Sequence, residues 1–514
     1  MNRENLFTLS EKGKSGEYTA SVVRVRNLRP IEGSDFLVLA EAAGEDVVVR
    51  KDEVHEGDVM VYCRIETVLD PEFLGANNLF DPDNWYRNKN AADYERTREE
   101  EGKEAARKMC GYFNKHGRVR IARLRGCPSK GFLFDKEALV KWRPEFAEIN
   151  LEDYLDIPFW DTIDGKEFIK VYIPFVPGRR NHGRRLGPGE REKRFDRIIP
   201  EYFAFHYDTG QLTTLIRDLR PTDIVDISVK LHGTSSINGN ILTKYPVKLS
   251  AVDKMLNKVR RKKIQRITRE TPRYGKSREK MKSQKEELLG KIKPNKTVKY
   301  DNIYSSRKVI LNQYMNLDKI GGEGFYGTDV WALYYQLLKG KIERGTTIYG
   351  EIIGYVEDDQ KMIQKGYDYG CDTGKNKLMI YRVVHQEPGK PKVELDVPEV
   401  LKFTKDLVKK YPELKDRIHP IDLLYHGTLL DLYPDLDPRD ENWAYNVLGR
   451  LKHEERFGME QREPLCKNNV PREGIVVRVS GDPRFCAKLK CAEFLGIEAK
   501  AIDKGEVDME MAQG

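Results

Sequence analysis

Residues 226–240 read DISVKLHGTSSINGN, an apolar strand that ends on Lys230 and is followed three residues later by Gly233, which lets the chain turn tightly. A lysine at a strand terminus is most often a solvated charge, so K-x-x-G by itself is a weak signal. Lysine becomes a nucleophile only when deprotonated, which needs desolvation or neighbouring positive charge. The meaning of the stretch therefore depends on what the rest of the chain can bring to it.

Downstream, in order, come SSRK at 305–308, IYGEIIGY at 348–355, KLMIYRV at 377–383, EGIVVR at 473–478 and AKLKC at 487–491. The order and residue types suit covalent nucleotidyl transfer. A nucleoside triphosphate carries about four negative charges, so cations such as Arg307, Lys488 and Lys490 must approach it. Two carboxylates, Glu351 and Glu473, must orient a divalent metal or the ribose hydroxyls. Tyr381 offers a ring that can stack on a base. Lys488 and Lys490, two apart on a strand, point to the same face. Glu351 lies within an apolar strand, where carboxylates are seldom buried unpaired. His206, His385 and the remaining histidines show no metal-ligand spacing and are assigned no role.

Together these six elements resemble motifs I, Ia, III, IIIa, IV and V of the covalent nucleotidyltransferases, the superfamily of polynucleotide ligases and mRNA capping enzymes. KLHGTS with SSRK and YGEIIGY is most similar to the RNA ligase 2-like branch. The β-rich start, with RPIEGSDFLVLAEA, VVVRKDEVHEGDVMVYCRIETVLD and RVRIARLRGCPSKGFLF, resembles the N-terminal OB module of the RNA ligase 5 or Deinococcus-type enzymes. The resemblance spans residues 17–75, 117–135 and most of 205–505.

That resemblance implies an ATP-dependent RNA ligase that joins a 3′-hydroxyl to a 5′-phosphate through a lysyl-AMP and an RNA-adenylate. ATP and Mg2+ or Mn2+ would be its cofactors, and RNA, foremost a nicked duplex, its partner. It implies Lys230 as the nucleophile, Arg307 on the ribose or the RNA end, and Glu351 on the ribose or the water shell of the metal. Tyr381 would stack on adenine, Glu473 would hold the metal, and Lys488 with Lys490 would hold the α-phosphate. His232 and Gly233 complete the nucleotide-binding set. Two positions depart from the family pattern: His232 stands where many ligases carry Asp, and Val229 stands where related enzymes often carry a Glu that faces the adenine. Base discrimination then falls to other groups. Within the superfamily, mRNA guanylyltransferases and DNA ligases normally carry an OB domain after motif V, whereas 24 residues follow Lys490 here. A non-catalytic RNA-binding homologue is the remaining alternative, and retention of Lys230, Glu351, Glu473, Lys488 and Lys490 together weighs against it.

The chain has 514 residues, 39% apolar and 33% charged, which is a globular composition with room for two to four domains. No window approaches the ~18 consecutive apolar residues of a membrane span, and the N-terminus lacks the apolar core of a secretory signal, so a cytoplasmic protein is expected. Seven cysteines, with no C-x-x-C pair and no Cys/His cluster at zinc spacing, argue against a disulfide scaffold or a zinc finger. The expected fold class is α+β. A small OB-like β-barrel at 17–136 carries a polar insertion near 84–109, and 137–200 reads as a connector. The adenylyltransferase domain at 201–505, ATP-grasp-like by the resemblance, is built on antiparallel sheets with flanking helices.

The formal charge of +8 is unevenly placed: residues 252–299 hold 18 Lys+Arg and 5 Asp+Glu, a local +13, which leaves about −5 for the rest. The segment falls between Lys230 and Arg307, whose convergence on one pocket makes it an insertion. Its composition predicts two helices broken at Pro272, beside the active site and attractive to RNA phosphates.

Overall fold

In the strand Ile224–Lys230 the apolar residues Val225, Ile227 and Val229 are buried in the core. The alternate residues Asp226, Ser228 and Lys230 turn to the opposite face, as the two-residue period of a strand requires. A computed structural model describes residues 7–8, 20–155, 158–159, 162–163, 166–172, 196–207, 209–270, 276–313, 326 and 328–504.

Two mainly antiparallel sheets form the C-terminal domain. The first has the order Gly210–Gln211, Asp482–Lys490, Gly474–Val479, Ile224–Lys230, Leu423–Thr428. The second runs Lys296–Ser305, Thr234–Pro246, Thr346–Gly354, Asn376–His385, Val393–Glu394, with Ile418–Pro420 added in parallel to Asn376–His385. Their outer faces are covered by helices. Trp443–Lys452 buries Val447, Leu448 and Leu451 under the first sheet, and Val330–Leu338 and Val397–Lys410 bury Tyr334, Leu338, Val400 and Leu407 under the second. The two helices under the second sheet are capped by their own sequences. Asp329 accepts from the amides of Trp331 and Ala332, and Asp396 with Glu399 forms a reciprocal capping box. The inner faces of the two sheets meet at the turn 231–233, so the chain leaves Lys230 on one sheet and enters the other at Thr234.

The N-terminal module is β-rich, as its alternating sequence predicts. Leu37–Ala42 alternates half-buried and buried residues and pairs with both Arg26–Pro30 and Glu45–Arg50. A second sheet has the order Phe132–Phe134, Val59–Cys63, Ala20–Arg24, Pro158–Phe159. Among the described residues the strands form separate small sheets and not one closed hydrogen-bonded barrel. The polar stretch near 84–109 folds as the helices Ala91–Glu100 and Lys103–Arg107. Residues 118–134 hold four short strands, including the hairpin Ala122–Leu124/Cys127–Ser129.

The expected connector, 137–200, does more than connect. Pro158–Phe159 pairs with Ala20–Ser21, and Ile169–Val171 pairs with Thr67–Leu69, so this stretch adds strands to the module. Its short, aromatic-rich segments carry too little period for a sequence reading to identify them as strands. The Gly/Pro/Arg-rich part, 173–195, lies outside the described residues.

The basic insertion is a helical arm on a long ribbon. Thr234–Pro246 and Lys296–Ser305 pair continuously from Ile237↔Ser305 to Pro246↔Lys296. Beyond them come the helices Ala251–Glu270 and Lys276–Gly290; the expected break at Pro272 lies outside the described residues. The arm is thus rooted at the far end of the ribbon, and not beside the turn 231–233 as its position between Lys230 and Arg307 suggested. A strand that runs for 13 residues carries it away.

Candidate active site

Pairing across three neighbouring strands gathers the cations. Lys230 lies opposite Gly474, and Gly474 opposite Lys490; in the next row stand Ser228, Val476 and Lys488. Directly opposed residues share a face, so all three lysines project from one side of the sheet. Gly474 at the centre of the first row has φ +151°, and a Cβ there would stand 2.1 Å from the carbonyl oxygen of Leu489. Only glycine lets the strands close between the two lysines.

Facing this floor, the second sheet supplies Ser235, Glu351, Tyr381 and Arg382, the loop after Lys296–Ser305 supplies Arg307, and the segment before Gly210 supplies His206 and Tyr207. With Ser228, Lys230, Val476, Arg478 and Lys488 they line one cleft between the two sheets.

Gly233 sets the approach of the two walls. A Cβ on it would lie 2.3 Å from the carbonyl oxygen of Ile352 and 2.8 Å from Cγ of Glu351. Gln364 Nε2 donates to the carbonyl of Gly233 at 2.8 Å and fixes the turn. The glycine of K-x-x-G therefore brings Lys230 and Glu351 onto facing walls of one cleft; its part is close packing.

The carboxylates sit at different depths. Glu473 is 2% exposed. Its Oε1 is 2.7 Å from Lys230 Nζ and 3.4 Å from Lys490 Nζ, so one oxygen serves two ammonium groups. Its Oε2 is buried and accepts no hydrogen bond among the described residues; His232 Nδ1 stands 3.9 Å away. Glu351 is also buried, and Ser235 Oγ donates to its Oε2 at 3.4 Å. Among the described residues no group of three or more His, Cys, Asp or Glu converges as a metal cluster.

Lys490 bridges Glu473 to Glu498, at 2.8 and 3.1 Å from the two oxygens of the latter. Burial alone would raise the Glu498 carboxyl, but the charge and hydrogen bonds of Lys490, helped by His232 and Lys230, hold it below the usual carboxylate range. His232 is set edge-on between Tyr367 and Phe494, with ring centroids 5.0 and 4.9 Å away, and its amide donates to the hydroxyl of Tyr369. Its ring is thereby aimed at Glu473, behind the cleft wall.

A bulge aims Tyr381. The register passes from Tyr349↔Arg382 to Gly350↔Ile380 and leaves Tyr381 as the extra residue. This is why Tyr381 and Arg382, adjacent in a strand, both line the cleft. The Tyr381 hydroxyl hydrogen-bonds to the His206 imidazole (Nδ1 at 3.0 Å), and Arg478 lies 6.0 Å from the ring centroid. Arg382 is gripped by both oxygens of Glu394 at 2.8 Å and lies between the rings of Tyr207 and Tyr349. Burial would lower its pKa, and the Glu394 carboxylate more than offsets that.

The structure thus places Lys230, Arg307, Glu351, Tyr381 and Lys488 on the cleft, with Glu473, Lys490, His232 and Gly233 directly behind its walls. Sequence reading missed His206, Arg382, Arg478 and Glu498. Arg478 could have been found, because it continues the alternate-residue row of Val476 within EGIVVR. His206 and Glu498 lie outside every motif and carry no local signal.

Known proteins resemble the chain in two ways. A family model described as an OB-fold domain matches residues 19–80. No curated protein matches. Among solved structures, a mutant of Naegleria gruberi RNA ligase with ATP and Mn is 14% identical, covering 93% of this chain and 98% of that one at a TM-score of 0.43. A second mutant with ATP and Mn is 15% identical, with coverages of 92% and 97% and a TM-score of 0.43. The same ligase with PPi is 14% identical, with coverages of 94% and 99%, again at 0.43.

Proposed function

We propose that this chain is an ATP-dependent RNA ligase that seals a 3′-hydroxyl to a 5′-phosphate, with RNA, foremost a nicked duplex, as its substrate. The observation that carries the reading is the ion-pair cluster of Lys230, Glu473 and Lys490. A buried carboxylate orients one lysine, with a second cation alongside, at the edge of a cleft whose far wall holds Glu351 and whose sides hold Arg307 and Lys488. Isolated buried charges are too costly to persist without use or compensation, and this set compensates itself while keeping an amine at the cleft.

In the first step the neutral amine of Lys230 attacks the α-phosphorus of ATP. The new P–N bond forms as the α–β anhydride breaks, and pyrophosphate leaves. Glu473 Oε1, 2.7 Å from Nζ, is the nearest carboxylate to take the ammonium proton. Lys488 and Lys490 offset charge that grows on the α-phosphate oxygens, and Arg307 faces the nucleotide ribose or the RNA end. Tyr381, held through its hydroxyl by His206, presents its ring to the adenine. The RNA 5′-phosphate oxygen then attacks the same phosphorus and releases Lys230, and finally the 3′-hydroxyl attacks the RNA phosphorus and AMP departs.

Glu473, whose Oε2 is buried without a hydrogen bond, and Glu351 fit a hard divalent cation, which typically takes one or two carboxylates plus substrate phosphates. When bound, Mg2+ or Mn2+ would neutralise phosphate charge. The N-terminal module, with its OB-fold match, would bind RNA near the break.

The test is incubation with α-labelled ATP, GTP or NAD and a divalent cation, followed by denaturing electrophoresis. A labelled, acid-labile and alkali-stable adduct from ATP is expected, and it should be absent in Lys230→Ala. Labelling of Lys230→Ala at the wild-type level would remove Lys230 as nucleophile, and labelling from GTP alone would point to a capping activity.

A further inference from the structure

We infer that the helical arm, built of Ala251–Glu270 and Lys276–Gly290, grips the RNA double helix about one turn away from the break, which makes affinity depend on duplex length on one side of the nick. This deepens the ligase reading and rests on it. Three observations carry it.

The first is the connection. The two strands of the ribbon begin at the site: Thr234 follows Gly233, and Ser305 precedes Arg307 on the cleft. From Thr234 to Pro246 the strand takes 12 steps, or about 40 Å at ~3.3 Å per residue. A turn of A-form RNA is somewhat shorter than the ~34–36 Å turn of B-form DNA. Extended to that length, the ribbon carries the arm root a little more than one RNA duplex turn from the cleft.

The second is that the arm is held at a set angle at its root. Asn257 Nδ2 donates to the carbonyl of Lys293 at 2.8 Å, and the amide of Lys293 donates back to Asn257 Oδ1 at 3.1 Å. Lys293 Nζ also pairs with Asp253 at 2.9 Å. The first helix is thereby tied to the returning chain just outside the Pro246↔Lys296 pair.

The third is the chemistry of the arm surface. Lys254, Lys258, Arg261 and Lys262 are exposed and form no ion pair among the described residues. Residues 251–295 contain one aromatic, Tyr274. Single strands are held by rows of stacking rings, which this arm lacks, whereas two phosphate backbones with one charge per ~1.7 Å match a surface of cations alone.

The experiment measures binding of labelled nicked RNA duplexes by fluorescence anisotropy. Each side of the nick is lengthened separately from about 6 to about 18 base pairs, to straddle one turn. Wild-type affinity should rise by about tenfold or more on lengthening one side and stay level for the other. In a variant that joins Pro246 to Lys296 through an Asn-Gly turn, the dependence should vanish. In the fourfold variant Lys254→Gln, Lys258→Gln, Arg261→Gln, Lys262→Gln, the slope of log K against log salt should fall by up to about 3.6, at ~0.9 per phosphate contact. Length-independent binding by the wild type, or unchanged length dependence in both variants, would overturn the proposal and leave the arm to an acidic protein or an anionic membrane. Labelling by ATP in the same preparations separates the two readings. A wild type without adduct refutes the ligase, and an adduct with length-independent binding refutes the arm alone.

Discussion

Replacing Lys490 with Met should destabilise the helix Ala492–Asp503 and do so in a pH-dependent way. Lys490 is the main partner of Glu498, and both side chains are about one-sixth exposed, at 15% and 16%. Removing one member of a buried pair costs ~3–5 kcal/mol. With partial exposure, and with His232 and Lys230 still nearby, about 3 kcal/mol is the appropriate end of that range. The sign follows from linkage. In the wild type the folded carboxyl of Glu498 lies below its unfolded value, so its stabilising contribution is present above the unfolded pKa of ~4.3 and lost as pH falls through the folded one. Without Lys490, burial dominates and the folded carboxyl moves up. Glu498 then gains a proton within the accessible acid range, and the deficit relative to wild type shrinks as pH falls. Amide hydrogen exchange of the helix, at about pH 7.5 and about pH 5.5, measures it. The double variant Lys490→Met, Glu498→Leu should recover protection, because no buried carboxylate is left alone, yet remain slow in adenylylation. A deficit equal at both pH values, or a double variant no better protected than the single one, would refute the reasoning.

Lys488→Ala should slow formation of the labelled adduct by about 10²–10³-fold, the usual loss for a charge-stabilising donor; normal adduct formation with weakened RNA binding would move Lys488 to the nucleic acid. Gly233→Ala puts a methyl 2.3 Å from the Ile352 carbonyl, so it should cost at least ~1–3 kcal/mol and lower the melting temperature together with adduct yield; a wild-type melting temperature would show that the turn yields easily. His206→Ala removes a hydrogen-bond partner of the Tyr381 hydroxyl and should raise KM for ATP several-fold with little change in kcat; an unchanged KM would separate His206 from nucleotide binding.

Sequence alone reached most of the cleft because its residues lie on strands with a strict two-residue period. DISVK and AKLK each announce which side chains share a face, and the observed register rows join Lys230 to Lys490 and Ser228 to Lys488. What escaped was whatever depends on pairing between distant segments. His206 meets Tyr381 across 175 positions, and Arg382 joins Tyr381 on the cleft through a bulge that no composition marks. Glu498 sits on a helix that reads as an ordinary amphipathic one. The module showed the same limit: its regular hairpins were legible, whereas the two- and three-residue strands at 158–159 and 169–171 are too short to carry a period.

Every candidate nucleotide ligand lies beyond residue 205, yet the N-terminal module is clasped to the helix behind them. Arg118, buried in the module, is held by both oxygens of Glu66 and reaches Asp503 at 2.6 Å, and Arg120 touches the same carboxylate at 3.3 Å. Asp503 ends the helix that carries Phe494 against His232 and Glu498 against Lys490. The halves are therefore poor candidates for exchange between relatives. A chimera that imports a foreign module must carry Glu66, Arg118 and Arg120 with it, or it will unclasp a helix whose other face supports the site.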